Sequence, residues 1–413
     1  MTTPMHDAEP ETPTRVTPRW LRRWSILTAL TAAVVVTLGS RITTLGVGMS
    51  DPVWPTEPWF LVVNSHVWVQ EPRTGFLVEH THRFAAWGIG LFAAVLALGA
   101  WATEPDRRLR RFGLAALTLL LVAYLGLHGE MGSAWRARKA GGELQWPVGT
   151  ALACAAAALG VVAAAVASAR SSSPGKWFRV AVAAGLVAVM VQGLLGGYRV
   201  YLDQLMGTQL AAIHGSFGQM TLATLVAVVV LAAPRRRGDV VPADDRAGLS
   251  NLTMALAAGV VVQLIWGVWV RHLASPVAQR LHILTAFAVV GLVVAVLTRV
   301  FRSSPTRSQL AGYGWLLGVI VVGQLVLGVE AYLGKFALTG PEALKPPELR
   351  SITAYGAVVR TAHTLLGAAL LSTAVALAVR VARGPAAVPV EAGGGVAAKA
   401  VVGRRAAEPA GVA

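Results

Sequence analysis

Four polar residues stand where one apolar run of the chain begins: Glu79, His80, His82 and Arg83, in "FLVEHTHRFAAWG" (76–88). The 18 residues that follow, "FAAWGIGLFAAVLALGAW", carry no charge. Ionisable groups at the mouth of such a segment are costly and mark functional sites. Three more histidines, His214, His282 and His363, also lie a few residues inside apolar runs. A neutral imidazole keeps one nitrogen lone pair for a metal ion or a proton. Zinc takes three or four close ligands, with Cys, Asp or Glu among them, whereas these histidines come singly on separate runs. Two histidines from two helices suit the axial positions of a haem iron in a four-helix bundle. The pairs are His82 with His214, and His282 with His363. Arg41, Arg83, Arg199, Arg271, Arg280 and Arg360 stand near the same run ends. Guanidinium groups match carboxylates such as haem propionates, and some of them serve equally well as interfacial anchors.

The elements that must position these groups are membrane helices. Of the 413 residues, 55% are hydrophobic and only 14% charged, against about a quarter charged in a soluble domain. Apolar runs of about 20 residues recur at 24–46, 79–102, 111–128, 147–169, 178–198, 208–233, 252–270, 279–301, 310–334 and 355–382. The short alternating strands of a β-barrel are absent from the pattern. The expectation is an all-α polytopic membrane protein with two pseudo-repeated four-helix bundles, about eight core helices and two inserted ones. Its division is a cytoplasmic tail (1–23), a first haem-binding bundle (24–233, with inserted helices at about 111–169), a cytoplasmic linker (234–250), a second haem-binding bundle (251–383) and a disordered tail (384–413).

The net charge of +16 comes from loops that alternate along the chain. Of the 36 Lys and Arg residues, 23 fall in the N-terminal stretch, in alternate loops and in the C-terminal tail. Such a surplus sets topology and is no nucleic-acid footprint. It places both termini in the cytoplasm of a multi-pass plasma-membrane protein, and the histidine ends of the helices toward the extracytoplasmic face. The first 23 residues are polar and contain Pro and Arg, which is unlike a cleavable signal peptide. The single cysteine, Cys154, excludes an intramolecular disulfide and an iron–sulfur centre.

The surroundings of the histidines repeat. Each has a small residue four positions on, on the same helix face: Ala86, Gly218, Ala286 and Gly367. This clears space for a flat ligand, or simply lets helices pack closely. Three of the histidine helices follow a helix ending in Gln-x-x-x-Gly: Gln192–Gly196, Gln263–Gly267 and Gln324–Gly328.

Together, the two-bundle plan, the Glu-x-x-His-Arg segment Glu79–His82–Arg83, the matched histidines and the loop "RITTLGVGMSDPVWP" (41–55) resemble heme A synthase. The resemblance covers roughly residues 24–102 and 178–382. It implies an enzyme that oxidises a ring methyl of its substrate, haem O, to a formyl group by successive hydroxylations. It also implies a b-type haem cofactor in one half, a haem O synthase as the supplier, and an electron acceptor that the sequence leaves unknown. On this reading His82, His214, His282 and His363 ligate iron, while Arg83, Arg280 and Arg360 join His282 and His363 in holding cofactor. Glu79 is the catalytic residue. It is the one carboxylate three residues before a candidate ligand, where the other three positions hold Ala211, Gln279 and Arg360. A carboxylate in a low-dielectric pocket can take a proton or stabilise a developing cation. The plainer role is an i, i+4 partner for Arg83. His80, two residues from His82, faces elsewhere.

The chain departs from the family in two ways. Cys154 stands alone where many bacterial members carry a cysteine pair in extracytoplasmic loops. Residues 103–177 exceed the family's short connection, and "LGLHGEMGSAWRARK" (125–139) within them reads as an outer polar loop. Two other functions remain open: a non-catalytic dihaem b electron-transfer protein, and a proton-coupled transporter with duplicated halves. Besides membrane lipid, a second copy of the chain in a homo-oligomer stays open as a partner.

Overall fold

The computed structural model describes residues 17–50, 74–143, 145–234, 241, 243–336, 344–345 and 352–383. These form ten helices and no strand: α1 Arg19–Leu45, α2 Thr74–Ala102, α3 Arg107–Lys139, α4 Val148–Arg170, α5 Lys176–Tyr201, α6 Asp203–Ala232, α7 Ala243–Leu273, α8 Pro276–Arg302, α9 Ser304–Phe336 and α10 Ala354–Ala382. All ten are long and apolar enough to cross a membrane. Large apolar side chains such as Leu119, Leu159, Phe287 and Val319 point outward, as they do where lipid rather than water surrounds a bundle.

Two closed rings of four helices make up the core. In the first, α1 packs on α2, α2 on α5, α5 on α6 and α6 on α1. In the second, α7, α8, α9 and α10 close in the same order. The rings meet where α6 lies against α7 and α10, and where α1 lies against α10. The inserted pair, α3 and α4, packs on itself and leans on α2 and α5.

Local chemistry explains the helix ends. Gly46 takes the left-handed conformation (φ 66°) that terminates α1. Asp106 caps α3 by accepting from the Arg108 and Leu109 N–H groups. Ser275 precedes Pro276 at the first position of α8, and Thr353 caps α10 through the Gly356 N–H. The insertion is fixed at its base by a buried ion pair, Arg179 to Glu104 at 2.7 Å, with the Ser173 hydroxyl donating to the same carboxylate.

Several expectations change. Residues 125–139 are no outer loop, because α3 continues through them to Lys139 and stops only before Gly141 at φ 90°. At 33 residues, or about 50 Å, α3 exceeds the roughly 30 Å hydrocarbon layer. The linker expected over 234–250 is helical from Ala243, since the polar first turns of α7 precede its apolar stretch. Arg179, which with Arg170 and Lys176 makes up one of the basic loop stretches counted above, is buried against Glu104. Most of the N-terminal tail (1–16), the C-terminal tail (384–413) and the 51–55 end of the loop after α1 lie outside the described residues.

Candidate functional site

Each histidine helix meets the helix before it at a glycine. A methyl group built on Gly39 would stand 3.0 Å from His82 Cε1; on Gly196, 3.2 Å from His214 Cε1; on Gly267, 2.8 Å from His282 Cε1; on Gly328, 3.1 Å from His363 Cε1. All four are tighter than ordinary carbon contacts of about 3.5–4.0 Å, so an added methyl would press on the ring at each. The arrangement occurs four times, at one end of the two rings of helices: near the C-terminal ends of α1, α5, α7 and α9, and the N-terminal ends of α2, α6, α8 and α10.

A backbone carbonyl four residues before the glycine faces each ring, and hydrogen-bonds two of them. His82 Nδ1–H donates to Val35 O at 3.0 Å, and His282 Nδ1–H to Gln263 O at 3.0 Å. A carbonyl only accepts, so the proton sits on Nδ1 and the Nε2 lone pair is left for a metal. The Gln192 and Gln324 carbonyls face the His214 and His363 rings in the same way. There the Nδ1 atoms fall outside hydrogen-bond geometry and are buried without a partner.

The glutamines and the small residues beyond the histidines interlock. Gln192 Nε2 donates to His214 O, and Gln263 Nε2 to His282 O. A methyl on Gly218 would stand 2.9 Å from Gln192 Nε2, and one on Gly367 would stand 3.2 Å from Gln324 Nε2. These two small residues make room for the neighbouring glutamine, as close helix packing requires, and Gly218 also lines the first-bundle cavity. Periodicity identified their face but not what lies opposite.

In the second bundle the His282 and His363 ring centres lie 6.2 Å apart with planes at 85°. An imidazole nitrogen sits about 2.0–2.1 Å from a first-row metal ion, so two rings on opposite sides of one ion have centres roughly 6 Å apart. The separation fits shared axial ligation of one iron. Among the described residues no three His, Cys, Asp or Glu side chains gather as a metal site. Arg360 donates to Gly334 O at 3.0 Å, bridging α10 to α9. Arg280 is exposed on α8, as Arg41 is on α1.

The first bundle encloses a cavity of about 610 Å³ lined by Glu79, His82, Arg83, Arg199 and His214. Glu79 is buried. Its Oε1 accepts from Arg83 Nη2 at 2.8 Å and from the Met49 N–H at 2.9 Å. Met49 holds a positive φ of 74°, a conformation that costs a non-glycine residue about 1–3 kcal/mol. The turn after α1 is thus pinned across the mouth of α2 by the same carboxylate. His80 is fully buried and stacks on Phe76 at 5.3 Å, away from these cavity-lining groups.

Arg271 is a candidate carboxylate partner from sequence, but its place in the first-bundle cavity, beside His272, was not foreseen. Arg271 and His272 belong to α7, in the second bundle, yet both line the first-bundle cavity. Arg271 donates to Ser40 O and Thr44 Oγ1 of α1 and to Thr364 Oγ1 of α10. It ties the rings together at the level of the histidines. Nothing in the "WVRHL" sequence reveals that contact, which only the packing of the rings creates.

Comparison of the chain with protein-family models, with curated proteins and with solved structures finds no match in any of the three.

Proposed function

We propose that this chain is a membrane haem oxidoreductase of heme A synthase type, which converts the ring methyl of haem O to a formyl group by successive hydroxylation. The observation that carries this reading is the fourfold glycine–histidine unit. It presents two imidazole pairs at one end of the protein, one pair beside a large cavity that also holds a carboxylate. The substrate haem binds in the first bundle at His82 and His214. A resident b-type haem is held in the second bundle by His282 and His363, and when bound it supplies one-electron redox chemistry.

The protein's own residues do the rest. Val35 O and Gln263 O fix the tautomers of His82 and His282, so that Nε2 ligates. Arg83 and Arg199 line the cavity and offer paired donors to propionate oxygens. Glu79, one turn from His82 and held by Arg83 and Met49, takes up a proton released at the substrate carbon. With water supplying the oxygen atom, turning a methyl into a formyl group releases four electrons and four protons. An electron acceptor, whose identity the sequence leaves open, completes the reaction. The basic loops support cytoplasmic termini and a site toward the extracytoplasmic face of the plasma membrane.

The test is co-expression with a haem O synthase, followed by mass identification of the extracted haems. The expected result is haem A from the unmodified protein. From Glu79→Gln, a loss of about 10²–10⁴-fold is expected, with haem O or a hydroxylated intermediate accumulating. The pairing of Glu79 with Arg83 favours a second reading, a dihaem electron-transfer protein in which the carboxylate is structural. That reading takes over if the unmodified protein binds haem yet makes no haem A.

A further inference from the structure

The inserted helices α3 and α4 enclose a second cavity with α5. Its volume is about 290 Å³, and its lining includes Leu120, Leu127, Val187 and Tyr198. From α4, Ala151, Cys154, Ala155 and Ala158 line it, on one helix face at three- and four-residue spacing. Small residues so spaced ordinarily draw membrane helices into close contact. Here they leave a gap. Tyr124 spans it from α3, because its hydroxyl donates to Met190 O of α5 at 3.0 Å and rests against Gly193. Tyr124 and Met190 line both this cavity and that of the first bundle, and form the wall between them.

The cavity is a slot. From Leu120 to Leu127 on α3, and from Val187 to Tyr198 on α5, its lining extends about 10–16 Å. Spread over that length, 290 Å³ is a mean section of roughly 18–29 Å². Carbon atoms rest about 3.5–4.0 Å apart, so one alkyl chain fits this section and two abreast do not. Apart from Tyr198, the only polar side-chain atoms in the lining are the Cys154 thiol and the Tyr124 hydroxyl, which is already bonded. A polar ring would lose hydrogen bonds there, and a hydrocarbon chain has none to lose.

The slot opens to the lipid. Ala155 of α4 and Val191 of α5 line it and are exposed, so a chain can enter sideways between these helices. Tyr198 lies near the histidine end of α5, with the Trp146 ring centre 6.5 Å from its own. Aromatic rings of this kind sit at the level of lipid headgroups. We propose that the slot binds one acyl chain of a bilayer phospholipid, with the headgroup beside Tyr198 and Trp146 and the chain running along α5 toward Val187. The inserted pair thus has a ligand of its own, separate from the first-bundle cavity and independent of the haem reading.

The test uses a phosphatidylcholine with a photoreactive diazirine in mid-chain, in nanodiscs around the full-length protein. After illumination, adducts are mapped to residues by peptide mass. Leu152 and Leu159, exposed on α4, report ordinary contact with the bilayer. Val161 and Ala164 of α4 are buried away from the slot and report indiscriminate penetration. Adducts are expected on the exposed pair and on the slot's buried residues Cys154, Leu120 and Leu127, with Val161 and Ala164 unmarked. Ala158→Phe, which fills the slot, should lower the Cys154 adduct about tenfold or more, as overpacking of an occupied site does, and leave Leu159 unchanged. Ala151→Phe, toward the other end, repeats the test should the first variant fail to fold. Labelling that reaches Leu159 but spares Cys154, Leu120 and Leu127 overturns the proposal. Equal marking of Val161 and Ala164 does so too, as does a Cys154 adduct that survives these substitutions.

Discussion

Gly267→Ala is the sharpest test of the glycine–histidine unit, because this contact is the tightest of the four. The new methyl would stand 2.8 Å from His282 Cε1 and 3.2 Å from Nδ1. Carbon atoms rest about 3.5–4.0 Å apart, so the ring must retreat by about 0.7 Å or more. Retreat also pulls Nδ1 from Gln263 O, which it now meets at 3.0 Å. Overpacking costs about 1–3 kcal/mol, and a lost hydrogen bond costs about 1 kcal/mol. A total of about 2–4 kcal/mol is about 30- to 800-fold in affinity. Gly328→Ala is milder, with 3.1 Å to His363 Cε1 and no Nδ1 hydrogen bond to break. Gly291→Ala in the same bundle meets nothing within 4 Å and serves as the control. Haem retention is measured as transfer from purified protein to excess apomyoglobin. The expected order of loss is Gly267→Ala, then Gly328→Ala, with Gly291→Ala unchanged. If Gly267→Ala keeps its haem as well as the control does, the ring is not an iron ligand in this position.

Gln279→Glu places a carboxylate in the second bundle where Glu79 stands in the first, and haem A output should stay largely intact; a fall as large as that of Glu79→Gln would remove the distinction between the bundles. Arg271→Met should lower stability by about 3 kcal/mol, since a hydrogen bond to a charged group contributes about 1.5–3 kcal/mol and Arg271 makes several across the two rings. Its thermal midpoint in detergent reads this directly, and an unchanged midpoint would show that the rings hold without it. Reporter fusions after residues 238 and 390 should signal cytoplasm, and one after Gly141 should signal the outside. A cytoplasmic signal at Gly141 would mean that α3 does not cross.

The helices were legible because a run of about 20 apolar residues carries its own signal. Their ends were less so. Hydropathy does not register the polar first turns of α7 from Ala243, nor the amphipathic end of α3 through Lys139. The histidines and glycines were both visible as patterns, but which glycine receives which ring depends on how the helices face one another. The role of Gly218 and Gly367 as seats for Gln192 and Gln324 was hidden for the same reason. Arg179 misled because a basic residue near a helix end reads as a topology signal, whereas its buried partner, Glu104, lies 75 residues away in sequence. Arg271 and His272 lie beyond any reading of one bundle at a time.

The repeat is most informative where it breaks. In α7 the residue four before the glycine is Gln263, whose amide donates to His282 O and accepts from the Thr285 hydroxyl. That side chain fills the space between helices. At the matching place in α1 stands Val35, which still orients His82 through its carbonyl but has no amide to reach across. Opposite it Ala86, four residues beyond His82, takes up little room. Val35 and Ala86 both line the 610 Å³ cavity, together with Glu79. One backbone plan thus yields two different sites. In the second bundle, where Gln263 fills the gap, the His282 and His363 ring centres lie 6.2 Å apart as a packed pair. With valine and alanine in its place and a carboxylate one turn away, the first bundle keeps an open cavity, as the proposed substrate site would require.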